Sequence, residues 1–423
     1  MFKQLDFQKN AVDELTKAFL NLWIEDGRQL PLVLKSPTGS GKTYIASNFI
    51  RELNHLPNWE EDKAFIWITF SDDIAMQSKN KFEEYFENTL ENNLLTVADI
   101  NKGKLQKNDI LFLNWQKVVS RAAENRVLRR PENEEERKES GYYFEDFIDN
   151  THKDGREIIL IIDEAHTHVT ADLAQKVIDY IDPKIAFHIS ATPPEQIELK
   201  SRRLNSFVEV PRDKVVDEGL IKEKILVQTE EDLKKYSSED LDEVLIDLGL
   251  NKRKEIVDEY AKLGKSINPL VLIQLPNDDK TLIDLGQKTK EEVVLELLSK
   301  KGIEEDKIAL WFDDKKKNIE FITENDSDID FMLFKQAAGT GWDCPRAHIL
   351  IMFREINSNT FYIQTVGRIL RMSEPDKKED YKNSTLLRTG FLFTNYERNK
   401  VNAEWSGISP NKLPIYYAKK GRY

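Results

Sequence analysis

The stretch PLVLKSPTGSGKTYIASNFIRELN (31–54) decides the fold. PLVLK (31–35) is a short apolar run of the kind that forms a buried parallel strand. SPTGSGKT (36–43) is a glycine-rich turn, and residues 42–54 read as the helix that it opens. In such a turn Gly39 and Gly41 let the backbone curl so that several N–H groups point at phosphate oxygens. Lys42 brings a charge to the β- and γ-phosphates, and Thr43 offers its hydroxyl to Mg²⁺. The partial positive charge of a helix N-terminus adds to both. The candidate nucleotide site therefore runs through Pro37, Thr38, Gly39, Ser40, Gly41, Lys42 and Thr43. Ser36 stands where the usual pattern has glycine. A bare glycine-rich turn is the alternative, and the strand–loop–helix context argues against it.

The same alternation continues outward. AFIWITF (64–70), DILFLNW (109–115), EIILIIDE (157–164) and IAFHIS (185–190) read as further buried strands, with helices at 73–90 and 171–181. A second series holds KILVQ (224–228), PLVLIQL (269–275), KIALW (307–311), DFMLFK (330–335) and HILIMF (348–353), with a helix at 289–300. Strand–helix alternation predicts α/β domains, each with a parallel sheet covered on both faces. Since 423 residues exceed what one core usually serves, two tandem domains are expected, 1–210 and 211–400, meeting near 211–221. Residues 121–150 begin with a charged, proline-containing insertion, 312–329 form a polar connection, and 401–423 are a short C-terminal extension.

Composition narrows the setting. No apolar run approaches the roughly 20 residues of a membrane span. MFKQLDFQKN lacks the apolar core of an export signal, and the single cysteine, Cys344, excludes an internal disulfide or a cysteine-built zinc site. A cytoplasmic protein is expected. The net charge of −13 speaks against a broad basic surface but not against a local basic groove.

Two more motifs carry chemistry. IIDEAH (161–166) ends a strand, so Asp163 is placed to hold Mg²⁺ and Glu164 to orient and deprotonate an attacking water. QTVGRILRM (364–372) places Arg368 and Arg371 three apart, expected on one helix face. Arginine suits a γ-phosphate because its planar fork stays charged and donates two hydrogen bonds. A basic solvated helix is the alternative for that segment alone.

As an ordered set these motifs resemble superfamily 2 helicases, and within them the motor region of the res subunit of type III restriction enzymes. The resemblance covers nearly the whole chain. SPTGSGKT and IIDEAH look like motifs I and II, ISATPP (189–194) like motif III with Ser190 and Thr192, QAAGTGWDCPRA (336–347) like motif V, and QTVGRILRM like motif VI. Gln8 in LDFQKNAVDEL resembles the glutamine that reads adenine. GWDCPRA, FIDNTHKDGREIILIIDEAH, EGLIK (218–222) and VLIQLPND (271–278) favour the type III group. The resemblance implies two RecA-like domains with ATP and Mg²⁺ in the cleft between them. In motif V, Gly341 permits a tight turn, Thr340 offers a hydroxyl to phosphate or nucleotide, and Asp343 bonds either the ribose or a motif VI arginine. Core packing is expected of Trp342. Ser71 and Gln77 in FSDDIAMQ (70–77), Asn114 and Lys117 in NWQK (114–117), and Thr340 are the candidates for nucleic-acid contact.

The function so implied is an ATP-dependent DNA translocase or helicase motor, with a modification (methyltransferase) subunit as partner and no membrane. A stand-alone phage, repair or RNA helicase, or an ATP-gated nucleic-acid clamp, would share the motifs. EPDKKEDYK (374–382) imitates a restriction-nuclease site through Asp376, Asp380 and Lys382, but no apolar strand surrounds it. It reads as a solvated loop, and the tail after TGFLFTN (389–395) is too short for a nuclease core.

Overall fold

The computed structural model describes residues 4–57, 59–69, 71–86, 92–115, 143–163, 171–234, 240–278, 286–312, 315–335, 342–354, 365–394 and 415–417. The chain divides into two compact units, Met1–Pro37 with Gly41–Pro211, and Thr38–Ser40 with Arg212–Tyr423.

The first unit is built on seven strands: β1 (Leu30–Lys35), β2 (Lys63–Thr69), β3 (Leu94–Leu95), β4 (Ile110–Asn114), β5 (Glu157–Asp163), β6 (Ile185–Ser190) and β7 (Phe207–Glu209). They lie in the order β3-β4-β2-β5-β6-β1-β7, and every pair is parallel. Among the described residues its helices are α1 (Asp6–Trp23), α2 (Lys42–Asn54), α3 (Asp72–Phe86), α4 (Phe144–Lys153), α5 (Ala171–Ile181) and α6 (Glu195–Arg203). Both faces of the central strands are covered, which is why β1, β2 and β4 are buried throughout without alternation. On one face Ile66, Leu111, Leu160 and Ile162 pack with Phe147 and Ile148 of α4 and Val177 and Ile181 of α5. Elsewhere Phe49 of α2 stands edge-on to both Phe19 of α1 and Phe187 of β6, at 5.6 and 5.4 Å between ring centres. Trp67 meets Phe82 of α3 in the same way at 5.1 Å. Such aromatic pairs add about 0.5–1.5 kcal/mol each beyond the area they bury.

The second unit holds β8 (Lys224–Val227), β9 (Leu270–Gln274), β10 (Ile308–Trp311), β11 (Lys316–Lys317), β12 (Phe331–Phe334), β13 (Ala347–Met352), β14 (Thr389–Thr394) and β15 (Ile415–Tyr417). Their order is β11-β10-β12-β9-β13-β14-β8-β15, parallel except for the short β10–β11 pair. Its helices are α7 (Arg212–Asp217), α8 (Glu230–Lys234), α9 (Leu241–Lys262), α10 (Lys290–Lys300) and α11 (Lys378–Tyr381). Leu245, Ile256 and Tyr260 of α9 pack on Val271, Ile273 and Ile351. A Cβ at Gly249 would stand 2.6 Å from Ile351 Cδ1, so glycine there sets how closely α9 approaches the sheet. Thr289 and Glu292 cap α10 reciprocally, at 2.7 and 3.2 Å.

Both sheets are the parallel α/β sheets expected from the apolar runs. The charged segment 121–140 lies outside the described residues. Three expectations change in detail. The junction 211–221 contains a helical turn, α7. The connection 312–329 is tied down by Arg346, buried, which donates to the carbonyls of Ile322, Asn268 and Ile329 at 2.8, 2.7 and 2.9 Å. The stretch 374–382 is a short helical turn docked on α9 rather than a free loop. Lys265 pairs there with Glu374 at 3.1 Å and Asp380 at 2.5 Å, and Tyr381 donates to Glu374. Burial would raise the Glu374 carboxyl, but hydrogen bonds from Lys377, Tyr381 and Lys265 outweigh it and hold it at about 2. Among the described residues no helix is long and apolar enough to cross a membrane.

Candidate active site

In the first unit the site residues gather because neighbouring strands end level. Lys35 of β1 is in register with Ser190 of β6, and Ile189 of β6 with Asp163 of β5. The loop after β1, the end of β6 and the end of β5 therefore share the carboxyl edge of the sheet, the edge along which open α/β sheets bind ligands. The loop is fixed by Ser36, whose N–H donates to Ser190 O at 3.1 Å, and by Lys42 Nζ, 3.5 Å from Ser36 O. Gly39 and Gly41 have φ of +100° and +81°, left-handed values that residues with a Cβ rarely adopt. α2 begins directly after Gly41, so Lys42 and Thr43 sit in its first turn.

Gln8, near the start of α1, is buried against this loop. Its Oε1 accepts the Leu5 N–H at 3.1 Å, and a Cβ on Gly41 would lie 2.8 Å from its Nε2. Ser190 Oγ accepts the Thr192 N–H at 2.9 Å and shapes the turn after β6. Glu164 lies outside the described residues. Two left-handed glycines, a helix N-terminus and a lysine form a donor set that fits a nucleotide polyphosphate. Thr43 and Asp163 suit Mg²⁺, which takes few protein ligands beside substrate phosphates. No cluster of three or more histidine, cysteine or acidic groups that could hold a metal occurs among the described residues.

The second unit carries the two arginines, and here one expectation is corrected. Arg368 and Arg371 do not share a helix face. The 3-10 turn Gly367–Leu370 stops at Arg371, whose backbone is extended (φ −64°, ψ 142°) and bridges Ile221. The cause is segment 220–222, laid antiparallel against 370–372. Arg368 is buried, donates to the Trp342 carbonyl and lies 5.8 Å from the Trp342 ring centre. Burial lowers its pKa to about 10, with Asp343 opposing. Arg371 Nε pairs with Asp343 Oδ1 at 3.1 Å. Trp342 packs edge-on against Trp311 at 5.7 Å, as core packing requires. Thr340 and Gly341 lie outside the described residues.

The nucleic-acid candidates fare unevenly. Ser71 sits at the N-terminus of α3, where its Oγ accepts the Ile74 N–H at 3.4 Å, and Gln77 is half-buried on that helix. Asn114 is 2% exposed and its amide donates to Asp72. It ties the end of β4 to α3, a structural role the polar letters NWQK did not signal. Lys117 lies outside the described residues. Sequence reasoning also missed Lys222 and Arg346 as buried cations, since a lysine or arginine in an apolar context is ordinarily a surface residue.

Residues 1–195 match the family model for type III restriction enzyme, res subunit. Comparison by sequence with curated proteins gives no match. Among solved structures, the DEAD-box helicase Mss116 bound to ssRNA and UDP-BeF is similar with a TM-score of 0.55 and 11% identity, over 98% of this chain and 75% of that one. A variant of S. cerevisiae Dbp5 bound to RNA and ADP BeF3 gives 0.53 and 12%, over 98% and 94%. The ATP-dependent type ISP restriction-modification enzyme LlaBIII bound to DNA gives 0.53 and 13%, over 93% of this chain and 27% of that one. At these identities the likeness is one of fold. The family match is confined to residues 1–195 of the 423.

Proposed function

We propose that this chain hydrolyses ATP and couples hydrolysis to movement on DNA, as a motor of the kind found in restriction enzymes. One observation carries the reading: loop 36–43, Ser190 and Asp163 lie side by side at the carboxyl edge of one parallel sheet. In this reading the loop N–H groups and Lys42 bind the phosphates, Gln8 reads adenine, and Thr43 and Asp163 hold Mg²⁺. When bound, the ion neutralises charge on the phosphates. Glu164 takes the proton of the attacking water. Arg368 and Arg371, carried by the second unit, donate to the γ-phosphate as its charge spreads in the transition state. Ser190 and Thr192 link hydrolysis to nucleic-acid contact.

DNA is the proposed track and a modification subunit the proposed partner, in the cytoplasm. Backbone contacts through Ser71, Gln77 and Thr340 would bind without sequence preference. The test is ATPase rate with single-stranded DNA, duplex DNA and RNA in parallel. DNA stimulation that disappears in Lys42→Ala is expected. Equal rates with and without every nucleic acid would overturn coupling, and triplex displacement separates travel from clamping.

A further inference from the structure

We infer that Lys222 is a positioning residue for Arg371, holding the backbone that presents this arginine without itself reaching the nucleotide. The inference rests on the reading of Arg371 as a γ-phosphate arginine and extends it to a residue 149 positions away in sequence.

Lys222 is fully buried in the second unit. Its Nζ donates to three backbone carbonyls: Ala347 at 3.0 Å, Ile369 at 2.9 Å and Arg371 at 2.5 Å. Three acceptors require all three hydrogens of an ammonium, since a neutral amine has two. Two of those carbonyls end the 3-10 turn Gly367–Leu370, where carbonyls lack partners within the turn and a cation is favoured. The third opens β13, just after the segment that supplies Asp343, the ion-pair partner of Arg371. One buried ammonium thus ties the backbone of Arg371 to the strand beside its carboxylate partner.

The main chain reinforces this. Lys222 N donates to Leu370 O at 2.5 Å and Met372 N to Leu220 O at 3.2 Å, on either side of the Ile221–Arg371 bridge. The helical turn cannot run on through Arg371 while this ladder is in place. Burial pushes the Lys222 ammonium well below the ordinary lysine range. A methionine of similar shape would fill the same volume without that cost, so hydrophobic packing does not account for a lysine here.

The experiment measures kcat and KM for ATP, with saturating DNA, in Lys222→Met, Arg371→Ala and the double variant of the full chain. Circular dichroism and Tm report folding. Lys222→Met should lower kcat at least tenfold, leave KM within about twofold, and add nothing further to Arg371→Ala. Lys222→Gln, which keeps two donors, should recover part of the rate and carries the same double-variant test if the methionine variant does not fold. An equal fractional loss of kcat in the parent and Arg371→Ala backgrounds would overturn the inference, as would a change confined to KM. Parental kcat in Arg371→Ala alone would instead show that the underlying reading of Arg371 had failed.

Discussion

Asp343 Oδ1 stands 3.1 Å from Arg371 Nε, with the two side chains only 33% and 23% exposed. The preceding residue, Trp342, accepts a hydrogen bond from Arg368 through its carbonyl. Two consecutive residues of the GWDCP segment therefore hold the two arginines, one by a carboxylate and one by the main chain. A partly buried, charge-assisted bond of this kind contributes about 1.5–3 kcal/mol. If it sets the guanidinium for the transition state, Asp343→Ala should lower kcat by about 10- to 100-fold with little change in KM. Asp343→Asn, which keeps an acceptor but not the charge, should lose less. Steady-state ATPase assays check both, and a loss confined to KM would make Asp343 a binding residue.

The same region shows where the sequence could be read and where it could not. Stretches such as 158–162 and 110–113 are buried on both faces, so they stand out as uninterrupted apolar runs whatever packs on them. The loop at 36–43 is legible because its glycines and lysine answer a local geometric need. The spacing of Arg368 and Arg371 misleads because the helix is ended by Lys222 and Ile221, far away in the chain. The tie from Asn114 to Asp72, 42 positions distant, is invisible in the sequence for the same reason. Strands of two or three residues, β3 and β7, carry no period at all.

Gly41 brings loop 36–43 against Gln8. Its φ of +81° costs a residue with a Cβ roughly 1–2 kcal/mol, and that Cβ would stand 2.8 Å from Gln8 Nε2. Gly41→Ala should lower stability by about 1–2 kcal/mol and raise KM for ATP about tenfold or more. Urea unfolding and ATP titration measure the two effects, and an unchanged KM would remove Gln8 and Gly41 from the site.

Glu164→Gln should keep ATP binding and lose turnover by about two to four orders of magnitude, the range for a general base. Lys42→Ala should weaken binding itself. Parental turnover in Glu164→Gln would end the role given to that residue.

DNA-stimulated ATPase should fall steeply as salt is added and vary little with base composition, since backbone contacts release counterions but read no bases. Rates across a salt series on several unrelated DNA sequences test this. Strong sequence dependence in the isolated chain would require base contacts that none of the candidate residues supplies.

Lys63 gives a prediction about stability that is independent of ATP. It opens β2 and is 1% exposed, with Nζ donating to Asn108 Oδ1 at 3.1 Å and lying 4.7 Å from the Trp59 ring centre. Burial, helped by Lys107, lowers its pKa from 10.5 to about 8, against the opposing pull of Asp62 and Glu61. Between those values the unfolded chain holds a proton that the folded chain has released, so stability rises as pH climbs from about 8 to about 10.5. Below about pH 8 the full cost of the buried ammonium is present. Lys63→Met removes that cost but leaves Asn108 Oδ1 without this donor, so the variant should be more stable at pH 7 by about 1–2 kcal/mol. Its advantage should shrink steadily toward pH 10. Urea midpoints of parent and variant at pH 7, 8, 9 and 10 measure the difference directly, and a difference that stays constant across that series would show that Lys63 does not titrate in this window.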